Sequence, residues 1–339
     1  MRKHLTFNEK KFELKRILRA AAIIIAVAAV IAAALFVLKW WENSQQGGVV
    51  VPAPSKVDDS ITVDGVKYNK KKNIETLLLM GLDKFDTEQV GDSYNNDLQS
   101  DFLMLFVIDH ASSSYNALHI NRDTMVDIDI LGLADEKTGS VNKQLSLAHT
   151  YGNGGSSSSR NVVNSVSRLL NNIEIEHYLS VTMDAVPYIN DKLGGVEVQV
   201  LDDFTGIDDT LVKGETITLS GNQALTYVRA RQGMDDSTNS ARMVRQRQYL
   251  ESLFQKASFM ANEDEALIAE VTEEMWEDTV SDYDIVEMQE VLTCISDYEL
   301  DSFCSLEGEN KKGERYMEFY PSAESVNNTI LKLFYTSAQ

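Results

Sequence analysis

Cysteine is nearly missing from this 339-residue chain, which has only Cys294 and Cys304. The pair permits one disulfide or two buried thiols, one on a helix and one on a strand, and the spacing does not choose between them. With no Cys-x-x-Cys pair and no Cys/His cluster, the chain offers no zinc site. Gly-x-Ser-x-Gly is absent as well. Neither His149 nor His177 has a recognisable nucleophile beside it, which argues against a serine hydrolase. Positive charge is scarce, with 31 Lys and Arg against 52 Asp and Glu, for a net charge of −21. Residues 1–19 hold seven basic and two acidic side chains, so the rest of the chain carries −26. A field of that sign repels nucleic-acid phosphates and argues against a nucleic-acid partner.

Hydrophobic residues make up 43% of the chain, enough to bury a substantial core. From residue 20 to residue 38 every side chain is Ala, Ile, Val, Leu or Phe. At about 1.5 Å per residue this run nearly matches a hydrocarbon core of about 30 Å. Basic residues precede it, and Lys39, Trp40 and Trp41 follow at the interface position. The expectation is an uncleaved single-pass anchor over residues 20–41, with a cytoplasmic tail at 1–19 and the remainder outside the cell membrane. A cleaved signal peptide would have a shorter apolar region. Residues 42–70, rich in Gly, Pro and polar residues at their start, read as a linker, and residues 71–339 as one extracellular domain.

Within that domain, the continuous apolar runs at 74–80 and 102–108 have the pattern of strands buried on both faces. Residues 115–120, 177–182 and 196–200 add further strands. Helical spacing or caps mark 145–151, 160–170, 184–193, 220–228, 241–261, 264–277 and 322–335, and residues 152–159 read as a flexible loop. Strands interleaved with helices predict an α/β fold, a layered α/β/α domain around a central mixed sheet.

Five arginines fall within 19 positions: Arg229 and Arg231 in TYVRAR, then Arg242, Arg245 and Arg247 in ARMVRQRQ. Arg242, Arg245, Gln246 and Tyr249 share one helical face. Guanidinium groups stay charged and pair with phosphate oxygens, so this density in an acidic domain points to a pyrophosphate site; the bland reading is a solvated face paired with Asp235, Asp236 and Glu251. A second group, Ser100-Asp101 and Asn121-Arg122-Asp123-Thr124, adjoins apolar strands, where α/β sheets bind ligands. Asp101 has the chemistry to ligate a divalent metal bridging phosphate oxygens, and Arg122 to hold the same group.

The segments NIETLLLMGLD, QSDFLMLFVID, INRDT, EHYLSVTMDAV, LGGVEVQV, LSGNQALTYVRAR and ARMVRQRQ, in this order between residues 73 and 248, resemble the LytR-CpsA-Psr family of bacterial cell-wall glycopolymer transferases. Residues 258–339 carry no motif of this set. The resemblance implies transfer of a phosphoglycopolymer from a polyprenyl-pyrophosphate carrier to a peptidoglycan acceptor in a Gram-positive-type envelope, with Mg²⁺ (or Mn²⁺) at the pyrophosphate. It assigns Asp101, Arg122 and Asp123 to catalysis, with Asp101 on the metal. Arg122, Arg229, Arg231, Arg242, Arg245, Gln246 and Gln248 fall to the pyrophosphate, and Asp92 or Asp97 could add a metal ligand. Two positions depart from the family pattern: Gln99 stands where arginine is usual, and Asn121 where proline is common. The missing charge at Gln99 leaves open a second reading, a non-catalytic tethered module that binds lipid pyrophosphate or anionic wall polymer. For the prenyl tail, Leu77, Leu79, Leu103, Leu105 or the aliphatic residues of 185–193 are candidate groove residues.

Overall fold

The apolar runs expected to be buried strands lie side by side in the centre of one sheet. The computed structural model describes residues 60–63, 65–82, 99–231, 233–234, 238–264, 266–314 and 316–338. The expected cytoplasmic tail, the anchor at 20–41, and Asp92 and Asp97 lie outside these residues. Among the described residues no helix is long and apolar enough to cross a membrane.

In chain order the strands are β1 (Ser60–Val63), β2 (Val66–Lys70), β3 (Ile74–Leu82), β4 (Ser100–Asp109), β5 (Ser114–His119), β6 (Met125–Leu131), β7 (Lys137–Gln144), β8 (His177–Thr182), β9 (Val196–Gln199) and β10 (Thr216–Leu219). They continue with β11 (Thr279–Ser281), β12 (Glu299–Ser305), β13 (Gly308–Lys312), β14 (Met317–Pro321) and β15 (Tyr335–Ser337). The α-helices are α1 (Gly155–Leu169), α2 (Ala185–Lys192), α3 (Gly221–Arg229), α4 (Asn239–Glu263), α5 (Leu267–Met275), α6 (Ile285–Asp297) and α7 (Ala323–Phe334). Leu145–Tyr151 forms a 3-10 turn.

The main sheet has the order β11-β8-β3-β4-β5-β12 and is mixed. β8 runs parallel to β3, and β12 parallel to β5, while the other neighbours are antiparallel. Alternate side chains of each strand reach opposite faces. On one face Leu78, Met80, Leu103, Leu105 and Val107 pack against Val162, Val163 and Val166 of α1 and Ile330 and Leu333 of α7. Fully burying each such leucine contributes roughly 1.5–3 kcal/mol. On the other face Leu77, Met104, Phe106 and Leu179 meet Met288 and Val291 of α6, with Phe254 of α4 packed alongside. A third cluster joins β9 and β10 to α3 and α4 through Val196, Val198, Phe204, Tyr227 and Tyr249.

Two expectations are corrected. Residues 60–70, assigned to the linker, form the β1–β2 hairpin, and β15 pairs with β2, so this segment belongs to the folded unit that begins at Asp59. Its signal is the Asp64-Gly65 pair between alternating apolar positions, and Gly65 takes the positive φ of 79° that such a turn requires. The loop expected at 152–159 closes early, because α1 starts at Gly155. Asp135, at the β6–β7 turn, accepts hydrogen bonds from Asn153 and Ser157 and ties the helix start down. Both cysteines are free, Cys294 on α6 and Cys304 on β12, and burial pushes the Cys304 thiol up.

Candidate functional site

β4 begins at one end of the sheet, where β3, β5 and β8 finish, and the polar residues of both sequence constellations collect there. Asp101 is the second residue of β4, and Arg122 and Asp123 lie in the turn from β5 to β6. That turn is built by Asn121. Its side-chain carbonyl accepts the Asp123 backbone N–H at 2.9 Å, and its backbone carbonyl accepts the Thr124 hydroxyl at 2.6 Å. Asparagine where the family pattern commonly has proline thus has a structural use of its own.

Arg122 forms an ion pair with Asp101, donates to the side-chain oxygen of Gln99, and lies 3.7 Å from the Asp123 carboxylate. The neutral amide at Gln99 is therefore a direct partner of Arg122, where a second guanidinium would repel it. From α4, Arg242 donates to the Asp101 backbone carbonyl at 3.3 Å and to Asn239 at 2.6 Å. Asn239 in turn donates to the Asn121 side chain at 2.7 Å, so one chain of hydrogen bonds links α4, the β5–β6 turn and the start of β4. Asn239 was not singled out in the sequence; its position just after the Thr238 cap was the available signal. Burial raises the Asp123 carboxyl pKa, and the positive charges of Arg122, Arg231 and Arg242 pull it back down. Gln144 also holds this carboxylate, donating to it at 3.1 Å.

The structure therefore brings Asp101, Arg122, Asp123, Arg231 and Arg242 into one neighbourhood. Arg229 ends α3, exposed, two residues before Arg231. Two candidates from ARMVRQRQ are placed elsewhere, a correction to the expected set. Arg245 is fully buried and binds Asp202 and the backbone carbonyls of Tyr227 and Ala230. Gln248 turns toward β9, donating to the Gln199 carbonyl at 3.0 Å and accepting from the Tyr227 hydroxyl at 2.6 Å. The reason is common to both: the helix face bearing Arg242, Arg245 and Tyr249 is buried rather than solvated, and only its first turns reach the sheet end. Gln246 lies between, bonded to the Val228 carbonyl at 3.1 Å.

Beside this cluster is a cavity of about 240 Å³ with almost wholly apolar walls. Gly81, Phe102, Val228 and Gln246 line it at the arginine end: Gly81 precedes the last residue of β3, Phe102 follows Asp101, Val228 precedes Arg229, and Gln246 is one helical turn after Arg242. Leu179, Trp276, Met288 and Leu292 line its depth. Of the groove residues expected, Leu79, Ala185, Val186 and Ile189 are in its wall. Leu103 and Leu105 are not, since they pack on the opposite face of the sheet, and Leu77 is in the core. Among the described residues no group of three or more His, Cys, Asp or Glu is arranged to hold a metal. His177 stacks on Tyr283 at 4.0 Å and lies 3.6 Å from Asp282, the setting of a packed residue and not of a catalytic base.

Known proteins are similar to this chain in sequence and in fold. A chain named polyisoprenyl-teichoic acid–peptidoglycan teichoic acid transferase TagU, from Bacillus anthracis (strain CDC 684 / NRRL 3495), is 30% identical over 207 residues, 61% of this chain and 60% of that protein. Its namesake from Enterococcus faecalis (strain ATCC 700802 / V583) is 29% identical over 245 residues, 70% of this chain and 66% of that one. The match thus spans less than two thirds of these relatives' own length. The crystal structure of B. subtilis TagV superposes with a TM-score of 0.59 at 25% identity, covering 78% of this chain and 96% of that chain. The model of the LytR_cpsA_psr family matches residues 44–333, and the chain belongs to that family.

Proposed function

We propose that this protein transfers a phosphoglycopolymer from a polyprenyl-pyrophosphate carrier to a peptidoglycan hydroxyl. One observation carries the reading: guanidinium groups and two carboxylates adjoin an apolar cavity, matching the charged head and hydrocarbon tail of one lipid. The names of the relatives state the same class of transfer for those proteins.

The chemistry follows from the residues. The acceptor hydroxyl oxygen attacks the glycan-side phosphorus, the P–O bond to the prenyl phosphate breaks, and polyprenyl monophosphate leaves with the bond's electrons. Arg122, Arg231, Arg242 and the exposed Arg229 neutralise the phosphate oxygens as charge shifts to that leaving group. Asp101 or Asp123 takes the hydroxyl proton, and burial makes the Asp123 carboxylate a stronger base than an ordinary aspartate. Two carboxylates beside a diphosphate fit Mg²⁺, which commonly takes one or two carboxylates together with substrate phosphates. Asp101 and Asp123 would hold Mg²⁺ (or Mn²⁺), which supplies further charge neutralisation when bound. The apolar run at 20–38, read as an anchor, would place the domain outside the cell and close to a membrane-borne substrate.

The test is to incubate the protein with Mg²⁺, a polyprenyl-pyrophosphate glycan and peptidoglycan, and to measure glycan attached to the wall polymer. Product that disappears in Arg122→Ala supports the transferase. Tight lipid binding with no product would instead support the non-catalytic module, the reading favoured by Gln99 occupying one side of Arg122.

A further inference from the structure

The short helix α3 ends at Arg229, and Ala230 leaves the helix with φ −56° and ψ 132° before Arg231. A helix of this length is marginal alone, and its last carbonyls have no partners within it. Here they are met from α4. Arg245 Nε donates to the Tyr227 carbonyl at 2.9 Å, Gln246 Nε2 to the Val228 carbonyl at 3.1 Å, and Arg245 Nη2 to the Ala230 carbonyl. The three acceptors bracket Arg229 and immediately precede Arg231.

The guanidinium of Arg245 is committed to this place. Its side chain is 0% exposed, its Nη1 pairs with Asp202, and it lies over the Phe204 ring at 5.6 Å. To reach a diphosphate it would have to release two carbonyls and a carboxylate and leave the core. A buried charge stripped of its partner is costly, so the arrangement holds itself shut.

We infer that Arg245 is a positioning residue, which together with the Gln246 amide clamps the end of α3 so that Arg229 and Arg231 are presented to the diphosphate, and that Arg245 does not contact it itself. The inference rests on the reading of the site as a diphosphate site. It assigns a supporting role to the first arginine of the RQRQ run in ARMVRQRQ, and makes Asp202 part of the same device. Arg245→Lys keeps the charge but loses the fork that spans two carbonyls.

The test is a double-mutant cycle on the full-length protein in detergent, reading the dissociation constant for a polyprenyl pyrophosphate alongside thermal stability. Arg245→Lys weakens binding by about tenfold in the native background and by less than about twofold when Arg229 and Arg231 are both alanine, because there is then nothing left to position. Equal losses in both backgrounds would show that Arg245 touches the ligand itself, and would overturn the inference while leaving the diphosphate reading intact. If Arg229→Ala/Arg231→Ala binds the lipid as well as the native protein, the diphosphate reading fails and the inference goes with it. Should Arg245→Lys not fold, Asp202→Asn, at a side chain 28% exposed, replaces it in the same cycle with the same two outcomes.

Discussion

On β4, Leu103, Leu105 and Val107 face α1 and α7, whereas Phe102, Met104 and Phe106 face α4 and α6. The first set packs against those two helices; of the second set, Phe102 stands in the cavity wall. Both faces are equally apolar in sequence, so hydrophobicity does not separate them. The difference comes from what covers them. Two helices with small and branched residues close down on the first face, while α2, α4, α5 and α6 meet over the second without filling it. One face thus supplies stability and the other a space that stability does not need.

The most severe way to probe this contrast is to truncate matched leucines. Leu105→Ala in the filled face should cost about 3 kcal/mol in chemical denaturation, because the surroundings cannot collapse onto the void. Leu250→Ala, in the cavity wall, should cost less than about half as much, since part of its surface already lacks packing partners. Equal losses would mean that the second face is as tightly packed as the first.

Acid provides a second probe. His119 sits on the cavity side of β5 between Phe102 and Phe303, and burial, reinforced by Arg242 and Arg247, lowers its pKa to about 3 from an ordinary 6.5. The folded protein holds it neutral while the unfolded chain takes up a proton. Stability should therefore fall as pH drops from 6.5 towards about 3, by up to about 1.4 kcal/mol per pH unit from this group. His119→Gln should flatten denaturation midpoints across that window, and an unchanged slope would place the acid sensitivity elsewhere. The smallest effect on stability is expected from Gly81→Ala. Its methyl would lie 3.0 Å from Phe102 Cβ and 3.2 Å from Met183 Sδ at the cavity wall, costing about 1 kcal/mol or more of strain. Binding of a prenyl pyrophosphate should suffer more than stability does, and preserved lipid affinity would remove this end of the cavity from the site.

The sequence was most legible where backbone and side chain say the same thing. The unbroken apolar runs of β3 and β4 gave buried strands, and the polar residues at their ends marked the edge that carries the site. The helical spacing of Arg242, Arg245 and Tyr249 correctly put them on one face, but spacing does not tell which of several arginines reaches a ligand and which is spent on backbone carbonyls. That depends on α3 and Asp202, brought alongside only by the fold. The β1–β2 hairpin was hidden for a different reason. Its apolar residues are few and half exposed, and its third strand comes from the far end of the chain. The cavity was legible only in part: Leu79 and residues of 185–189 were expected and are in its wall, but Leu103 and Leu105 were expected too and are not, because residues around an empty space have the same composition as residues around a full one.

That third strand has a consequence for how the protein is made. Tyr335, Thr336 and Ser337 pair with Lys70, Asn69 and Tyr68, and the Phe334 carbonyl accepts from the Lys71 N–H at 2.8 Å. The β1–β2 hairpin thus waits for a strand about 260 residues later in the chain before its sheet is complete. A product stopped ahead of Tyr335 would carry β2 with a bare edge, open to pairing with any extended chain it met. The three residues of β15 are a seal, and their pairing separates a closed sheet edge from a sticky one.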